Sequence, residues 1–261
     1  MQHLEHLTTS EDLSGTWCNA NAVTSSIMEA VSLVTPVLEK FFIRTVNEGL
    51  SERTSLALRE RCLTFIREEA DHSRVHKKFN TSVLHYLGQT PPGLARLEAL
   101  LDGTRNRLSL PSRLLLAAAL EHFTAVLSKV YLAQEGRLDF QSAFAQALFA
   151  HHAREELAHR SVVFDLWLTL GTSGRFKRSL TVFTILLVGI TYIAVAVPWI
   201  LHRKTGKLSA TLSSLLSFAV KNRSNIPSYS PLAELFSFVR RSYHPDHLVD
   251  DRATPVGQHR A

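Results

Sequence analysis

The chain has 261 residues, of which 45% are hydrophobic, and it carries a formal net charge of +6. A chain of this length and composition can bury a sizeable core, which excludes an intrinsically disordered protein. Its two cysteines, Cys18 and Cys62, give neither a disulfide framework nor a C-x-x-C metal clip, so we expect a reducing, cytosol-facing compartment.

The positive charge is concentrated after residue 170, where basic residues flank a hydrophobic run. They do not form a stripe of arginine and lysine with interleaved aromatic residues, so we expect no nucleic-acid partner. The first residues, MQHLEHLTTSEDL, lack the basic start and apolar core of a signal peptide, and none is expected.

Helices are predicted over almost the whole chain, and no alternation typical of strands competes with them. The first predicted helix starts at Pro36, because proline suits the first helical position, and it stops at Gly49. The second is long and covers residues 55–87, with Gly88 as its stop. A longer connection over residues 88–111 follows, and it contains one short predicted helix.

The third helix is predicted to start at Pro111 or Ser112 and to end by Gly136, and the fourth covers residues 139–171. Two short connections and one long one are typical of the ferritin-like four-helix bundle, which has one long crossover. We therefore predict an all-α fold with a metal-binding bundle in residues 1–172.

Two of these helices each carry one glutamate and two histidines on a single face. The six residues are Glu69, His72 and His76 on the second helix and His152, Glu156 and His159 on the fourth. Residues three, four or seven positions apart lie on one stripe of a helix, so each set points in one direction. Each set contains the E-x-x-H step that dinuclear carboxylate bundles use on two of their four helices.

These polar residues interrupt seams of apolar residues, and the seams are expected to face the interior of the bundle. Steps of three or four along the second helix connect Leu58, Cys62, Phe65, Glu69, His72, His76, Asn80, Val83 and Leu87. The same steps along the fourth helix connect Ala145, Leu148, His152, Glu156, His159, Val163, Leu166 and Leu170. On the third helix Glu121 interrupts a similar series between Ala118 and Ala125.

A dinuclear site in a bundle also needs one glutamate from each of the other two helices. Glu39 meets this requirement on the first helix, although the helix dipole alone would also favour a carboxylate in a first turn. Glu121 meets it on the third helix. A buried ion pair is the alternative for Glu121, but Lys129 is two turns away.

Four ionised carboxylates in one core would repel each other strongly, and their burial would be costly without compensation. Two divalent metal ions would neutralise them, with histidine nitrogens completing the coordination; iron is preferred, with manganese and zinc as alternatives. The predicted metal-binding residues are Glu39, Glu69, His72, His76, Glu121, His152, Glu156 and His159. Glu69 and Glu156 are also the predicted catalytic residues, as metal-bound carboxylates.

Other roles stay open for some of these residues and their neighbours. His76 and His152 exceed the basic set of six ligands and could orient a carboxylate instead. A solvated position is expected for four residues beside the seams: Glu68, Glu155, His122 and His151. Glu155 nevertheless remains a candidate ligand, because residues 152, 155 and 159 also stack on one stripe. A polar network without any metal is the remaining alternative.

Four stretches resemble the bacterial family of predicted metal-dependent hydrolases: TPVLEKFF, FIREEADHSRVHKKFN, ALEHFTA and HHAREELAHRSVVFDLW. The resemblance covers about residues 17–170, and its most specific parts are ALEHFTA and H-A-x-E-E-x-x-H-x-x-V-x-F-D. It implies hydrolysis as the reaction and the same eight residues as the metal site. Two positions depart from the family pattern, Leu38 in place of a glycine and Ala158 in place of an acidic residue, and neither removes a ligand.

Three kinds of function fit this ligand set. A hydrolase would use the metals to activate water and to polarise a substrate oxygen. An O2-activating di-iron oxidase or oxygenase would use the same ligands, and the E-x-x-H pattern favours it on ligand type. A storage or sensing protein would bind metal without turnover. The chain has neither a G-x-S-x-G nor an H-E-x-x-H motif, which argues against serine hydrolases and zincins.

Residues 180–201 form a hydrophobic run of 22 residues without a charge. As a helix, this run would be about 33 Å long, enough to cross a bilayer core, and Trp199 would suit its interface. The alternative is an apolar helix packed on the bundle. The following LSATLSSLLSFAV is too short to span and is expected to form an amphipathic or packed helix. We predict a membrane-associated extension over residues 173–242 and a flexible tail over residues 243–261.

The metal site and the hydrophobic run together predict a small apolar, lipid-like substrate and a membrane partner. The expected location is the cytoplasmic face of the inner membrane, or the cytoplasm if the hydrophobic helix packs on the bundle. A homodimer is left open.

Overall fold

The computed structural model describes residues 15–52, 54–171, 174–221 and 231–247. Within these ranges the chain is helical and contains no strand. The helices are α1 (Ala22–Gly49), α2 (Leu56–Leu87), α3 (Leu94–Arg107), α4 (Leu110–Gln134), α5 (Ala143–His159), α6 (Val162–Thr169), α7 (Arg175–Thr205), α8 (Leu208–Lys221) and α9 (Pro231–Ser237). Two short 3-10 helices lie at Glu135–Arg137 and Pro245–His247.

The bundle consists of α1, α2, α4 and the successive helices α5 and α6. α1 contacts α2 and α4, and α5 contacts the same two helices, so the four enclose one interior. The long connection between α2 and α4 contains α3, which is held to α1 by ion pairs of Lys40 with Glu98 and Asp102. The predicted all-α helical bundle is confirmed. α2, α3 and α4 lie where the sequence predicted them, to within two residues for α2 and α4.

Two clusters of buried apolar side chains fill the bundle, one on each side of a polar layer. On α2, Phe65 belongs to the first cluster and Phe79 to the second, and the predicted metal-binding residues lie between them. α1 repeats this order in the opposite direction, with Leu33 in the second cluster and Phe42 in the first. The apolar clusters hold the helices together, and the polar layer lies between the two.

The predicted start of the first helix at Pro36 is wrong, because α1 begins at Ala22. The Asn21 side chain caps this start by accepting hydrogen bonds from two backbone N–H groups of the first turn. Glu39 therefore lies deep in the helix, and the helix dipole does not account for it.

Pro36 is tolerated inside α1 because the carbonyl that it leaves without a partner is bonded elsewhere. A proline cannot donate to the carbonyl four residues before it, which here belongs to Ser32. Asn80 Nδ2 donates to this carbonyl at 2.8 Å. The helix therefore continues past a residue that ordinarily begins or breaks one.

The single helix predicted over residues 139–171 is also wrong, because a turn separates α5 from α6. At this turn the Ser161 carbonyl accepts a hydrogen bond from the Asp165 N–H at 2.8 Å, and the Ser161 hydroxyl accepts one from Arg61 at 2.8 Å. An acidic residue in the first turn of a helix, here Asp165, favours a new start.

α7 contains the predicted hydrophobic run and packs along the bundle. Its buried side chains include Val182 near one end and Tyr192 and Ile200 near the other. Tyr192 Oη donates to the carbonyl of Ala30 on α1 at 3.0 Å. Gly206, with a φ of 67°, then turns the chain into α8.

Two helical segments among the described residues are long and apolar enough to cross a membrane, Leu110–Arg137 and Arg175–Thr205. The first includes α4 and is a core segment, with 61% of its most apolar window buried in the protein. The second is α7, with only 28% of that window buried. Length and composition alone are weak evidence for membrane association, and the exposure of α7 is what distinguishes the two segments.

The end of the described chain packs against the bundle. Tyr243 Oη lies 2.7 Å from His122 Nδ1, and His244 Nε2 lies 2.9 Å from Asp165 Oδ1. The prediction of a flexible tail is therefore wrong for residues 243–247, and residues 248–261 lie outside the described ranges.

Candidate metal centre

The eight predicted metal-binding residues lie together in the polar layer of the bundle. α1 supplies Glu39, α2 supplies Glu69, His72 and His76, α4 supplies Glu121, and α5 supplies His152, Glu156 and His159. Seven of them are buried, and the side chain of His152 keeps 16% of its exposure. Four helices therefore converge on one set of carboxylates and imidazoles.

The helical seams explain why these side chains point inward. Every member of the α2 seam, from Leu58 to Leu87, is buried. The polar members Glu69, His72 and His76 follow the same steps of three and four as the apolar ones, so the geometry that buries the apolar residues also buries them.

Seven of the eight residues form overlapping groups of three whose ligand atoms all lie within 4.8 Å of one another. The groups are Glu39–His76–His152, Glu69–Glu156–His159, His72–His152–Glu156 and Glu39–Glu69–His72. The first two groups share no residue, and His72 belongs to both of the groups that link them. Glu121 belongs to no group, but its pKa responds to the charges of Glu156, Glu69 and Glu39, which places it beside them.

Nine buried polar atoms of these residues have no hydrogen-bond partner in the described part of the chain. They are both carboxylate oxygens of Glu39 and of Glu121, Oε2 of Glu69 and of Glu156, Nδ1 of His72 and of His152, and Nε2 of His76. Buried polar atoms are costly unless they are satisfied. Carboxylate oxygens and imidazole nitrogens are the donors that iron, manganese and zinc accept, so the residues present fit divalent metal ions.

His76 is oriented by a hydrogen-bond chain that leaves one nitrogen free for a metal. Ser32 Oγ donates to Asn80 Oδ1 at 2.7 Å and lies 2.8 Å from His76 Nδ1. Because the hydroxyl proton is used on Asn80, Nδ1 of His76 carries the proton of this second contact. The lone pair of His76 is then on Nε2, which is buried and unpartnered.

His72 is oriented from its other nitrogen. Its Nε2 is hydrogen-bonded to Glu155 Oε2, which places Nδ1 on the inner side. Nδ1 lies 3.6 Å from Glu69 Oε1 and 3.8 Å from Glu156 Oε1. Glu155 therefore orients His72 from outside the cluster, and its own role as a ligand stays a prediction.

His159 follows the same arrangement. Its Nε2 lies 2.6 Å from Glu68 Oε2, and its Nδ1 lies 3.0 Å from Glu69 Oε1. An outer partner that fixes one imidazole nitrogen and directs the other inward is the usual second layer of a metal site.

The buried carboxylates have strongly different pKa values. Burial raises the pKa of Glu39 and of Glu121, and repulsion from neighbouring carboxylates raises both further. Burial, followed by repulsion from Glu69, raises the pKa of Glu156 to about 7. These three carboxyl groups lie close together and resist ionisation. A divalent cation among them would stabilise their ionised forms.

Glu69 is the ionised member of the set. Burial alone would raise its pKa, but the hydrogen bond with His159 and the close contact with His72 outweigh burial and lower it to about 2. Although burial opposes it, the hydrogen bond to Glu155 and the contact with Glu69 raise the pKa of His72 to about 11. His152 is the opposite case, because burial and the charge of His72 lower its pKa to about 3.

The four neighbouring residues expected on a solvated face divide into two kinds. Glu68, Glu155 and His151 retain part of their exposure, and Glu68 and Glu155 both contact histidines of the cluster. The expectation is wrong for His122, which is 1% exposed. Its Nε2 lies 3.0 Å from the Glu234 carbonyl, so the C-terminal helix α9 covers it.

The sequence pattern did not indicate a functional role for Ser32, and it indicated Asn80 only as a member of the α2 seam. Asn80 follows His76 by one helical turn, and a polar residue at that position inside an apolar seam was its signal. Ser32 had none, because it lies before the point at which α1 was predicted to begin.

A family model described as predicted metal-dependent hydrolase matches residues 4–248 of the chain. No protein of curated function and no solved structure matches it. The match extends over the bundle, α7 and α9, and therefore over all eight residues of the cluster. The chain belongs to the family of predicted metal-dependent hydrolases.

Proposed function

We propose that the protein is a dinuclear metal-dependent hydrolase that acts on a small apolar or lipid-like substrate. The observation that carries the proposal is the pair of residue groups, Glu39–His76–His152 and Glu69–Glu156–His159, that share no member and lie side by side. Two separate groups of ligand atoms are better suited to two cations than to one. The family to which the chain belongs favours hydrolysis as the chemistry.

Each group would hold one metal ion, and His72 lies between them. Glu121 adds a carboxylate from α4 beside Glu156, which brings the number of carboxylates in the layer to four. Two divalent ions would balance four carboxylates, and neutral imidazoles would complete the coordination. Iron is the preferred metal for this mixed set, with manganese and zinc as alternatives.

Metal ions bound there would supply Lewis acidity toward a substrate oxygen and toward an attacking water. The protein's own residues supply the orientation. Ser32 and Asn80 fix the ring of His76, and Glu155 fixes the ring of His72. Burial of Glu69 and Glu156, which are 0% and 1% exposed, keeps bulk water away from the carboxylates.

Aromatic rings beside the histidines support an apolar substrate. The Phe65 ring stands edge-on to His159 at 5.1 Å, and the Phe149 ring stands edge-on to His76 at 5.8 Å. A polar substrate would gain nothing from these contacts, whereas an acyl or aryl group would pack against them.

The test is hydrolysis by protein that has been stripped with a chelator and reloaded without oxygen. We expect cleavage of carboxylic esters with short apolar acyl groups to require metal, to proceed without O2 and to be lost in Glu121→Ala. The control His85→Ala changes an exposed histidine on α2 and should keep full activity. Absence of metal-dependent hydrolysis over a panel of esters and amides would contradict the proposal.

O2 activation by two iron ions is the second candidate. The observation in its favour is that the E-x-x-H pairs Glu69–His72 and Glu156–His159 face each other, as in di-iron carboxylate bundles. Oxygen consumption by the iron-loaded protein, with no hydrolysis under anaerobic conditions, would favour this reading. Loading far beyond two metal ions with neither activity would favour storage or sensing.

A further inference from the structure

We propose that the outer face of α7 is a docking surface for an anionic lipid bilayer, on which α7 lies in the plane of the interface instead of crossing the membrane. The proposal concerns a surface that contains none of the metal-binding residues. It does not depend on the reaction proposed above.

A stripe of large apolar side chains runs along the outside of α7. Its members are Phe176, Leu180, Phe183, Leu187 and Ile190, each between 53% and 79% exposed. Alternating steps of four and three place them on one face of the helix. We call this set the α7 stripe. Soluble monomers rarely expose a contiguous apolar surface of this extent without a partner.

The two helices that follow extend this apolar character. α8 exposes Leu208, Leu212, Leu216 and Val220 at steps of four, and α9 exposes Leu232 and Phe236 at the same step. Both helices contact α7. Three neighbouring elements therefore leave one apolar face each without a protein partner among the described residues.

Two threonines on α7 satisfy their hydroxyl groups inside the helix. Thr181 Oγ1 donates to the Lys177 carbonyl at 2.8 Å, and Thr191 Oγ1 donates to the Leu187 carbonyl at 2.7 Å. Such internal bonds leave no hydroxyl proton that needs water. These two threonines are therefore compatible with an apolar medium.

The charge of this region selects an anionic partner. Residues 166–233 contain no aspartate or glutamate and eight lysines and arginines. Exposed basic residues lie at both ends of this surface, Arg175 and Lys177 beside the first member of the stripe, Phe176, and Lys207 between α7 and α8. Basic residues that flank an apolar helical face are typical of helices that bind anionic lipid surfaces.

A second copy of the chain fits the α7 stripe less well than a bilayer. Spacing of three and four would also suit a helix–helix contact. Because both ends of α7 are basic, a symmetric contact would bring like charges together in either the parallel or the antiparallel orientation. An anionic bilayer would attract both ends at once.

The packing of α7 favours an in-plane position over a spanning one. From Val182 to Lys204 its inner face lies against the bundle, a length of about 33 Å. Lys204 Nζ contacts Glu29 Oε1 at 2.7 Å, and Arg203 Nη2 donates to the Leu87 carbonyl at 2.7 Å. A spanning α7 would have to leave these contacts or carry the charged surface of the bundle into hydrocarbon.

The first test is flotation of the full-length protein with two kinds of vesicle. One is pure phosphatidylcholine, and the other also contains about 30% of the anionic lipid phosphatidylglycerol. We expect at least about tenfold tighter binding to the anionic vesicles, weakened by high salt, in both metal-free and metal-loaded protein. Ile190→Glu should weaken binding at least about tenfold. Leu100→Glu, at an exposed apolar position on α3, should leave it unchanged.

The second test distinguishes the in-plane position from a spanning one. Ser179→Cys and Ala194→Cys place single probes about 22 Å apart along α7, and the native Cys18 and Cys62 are 0% exposed and should not label. Equal, shallow depths of both probes in the bilayer are expected. A steep difference in depth would overturn the in-plane position.

Three results would overturn the docking surface itself. These are a monodisperse protein that binds neither kind of vesicle, a stable dimer whose formation Ile190→Glu abolishes, and vesicle binding that Ile190→Glu leaves unchanged. The two probes are read in an otherwise native chain, so the proposal remains testable if Ile190→Glu fails to fold. Vesicle binding by metal-free protein separates this proposal from the fate of the hydrolase assignment.

Discussion

The polar layer inside the bundle and the α7 stripe outside it are opposite exceptions to the ordinary distribution of side chains. The layer places ionisable residues in the interior, and the stripe places large apolar residues on the surface. The layer buries four glutamates and three histidines beside the partly exposed His152, and the stripe exposes five large apolar residues. Each arrangement is costly for a chain alone in water. Cations would compensate the first and a lipid surface the second, so each region indicates its own partner.

The contrast shows that the same helical periodicity can serve both purposes. On α2 the inward stripe carries ionisable residues, and on α7 the outward stripe carries apolar ones. In both places buried apolar residues beside the unusual stripe hold the helix in the fold. The apolar clusters hold the layer in place, and the inner face of α7 holds the helix on the bundle.

The largest effect is expected from removal of a ligand within the layer. His159→Ala takes a nitrogen from one group of three, so bound metal should fall from two to one or fewer per chain and hydrolysis by more than about 100-fold. Elemental analysis and ester hydrolysis check this result. Unchanged metal content in His159→Ala, with His85→Ala as the matched control, would remove His159 from the site.

The next largest effect is expected where α7 is joined to the bundle. The Glu29 carboxylate accepts hydrogen bonds from Trp17 Nε1 and Tyr86 Oη, both at 2.6 Å, and from Lys204 of α7 at 2.7 Å. Glu29→Ala would leave Lys204 buried without its counter-charge and should lower the free energy of unfolding by about 3–5 kcal/mol.

Urea denaturation of metal-free protein measures the Glu29→Ala effect separately from metal binding. Glu98→Ala removes the surface ion pair with Lys40 and should cost less than about 1 kcal/mol. Equal losses in the two variants would show that α7 is not fixed to the bundle through Glu29.

A smaller effect is expected from the residues that orient the histidines. Glu155→Gln keeps the size of the side chain and weakens its contact with His72, so metal affinity should fall by about 10–100-fold while two ions still bind at saturation. Competition with a chelator measures the affinity. Glu60→Gln, an exposed position on α2, serves as the control, and an equal affinity in both variants would deny Glu155 an orienting role.

The smallest effect is expected at an ordinary surface contact. Hydrogen bonds from Lys40, with the charges of Lys40 and Arg44, hold the pKa of Asp102 below its usual 3.8. A lower pKa in the folded state means that this stabilisation is present above pH 3.8 and is lost as the pH falls through the folded value. Asp102→Asn should cost at most about 1 kcal/mol at pH 7.

The same variant also tests the direction of this pH dependence. Below pH 3.8 the difference in unfolding free energy between the native chain and Asp102→Asn should shrink, as chemical denaturation at several pH values would show. A difference that grows on acidification would contradict the sign.

The sequence predicted the elements whose signals are local and repeated. The α2 seam and its Gly88 stop correspond to the observed helix, because nine consecutive seam positions and one left-handed residue all agree. The eight residues of the candidate site lie in one layer, as their spacing on four helices predicted. Their role as ligands stays a prediction.

The wrong predictions have a common cause. Each of these features depends on contacts with residues that are distant in the sequence. Pro36 was predicted to start a helix because the local sequence does not reveal the hydrogen bond from Asn80 to the Ser32 carbonyl. Likewise, His122 lies one position from a seam, and it is covered by α9, Phe238 and Tyr243, which come more than 100 residues later. At the turn between α5 and α6, the Ser161 hydroxyl accepts a hydrogen bond from Arg61, which lies 100 residues earlier in the chain.

The most direct test of the central claim is a count of metal ions in the loaded protein, combined with X-ray absorption to measure the distance between them. The two groups of three residues predict two ions per chain, about 3.5–4 Å apart. One ion per chain, or two ions with no metal–metal scattering at that distance, would contradict a dinuclear centre.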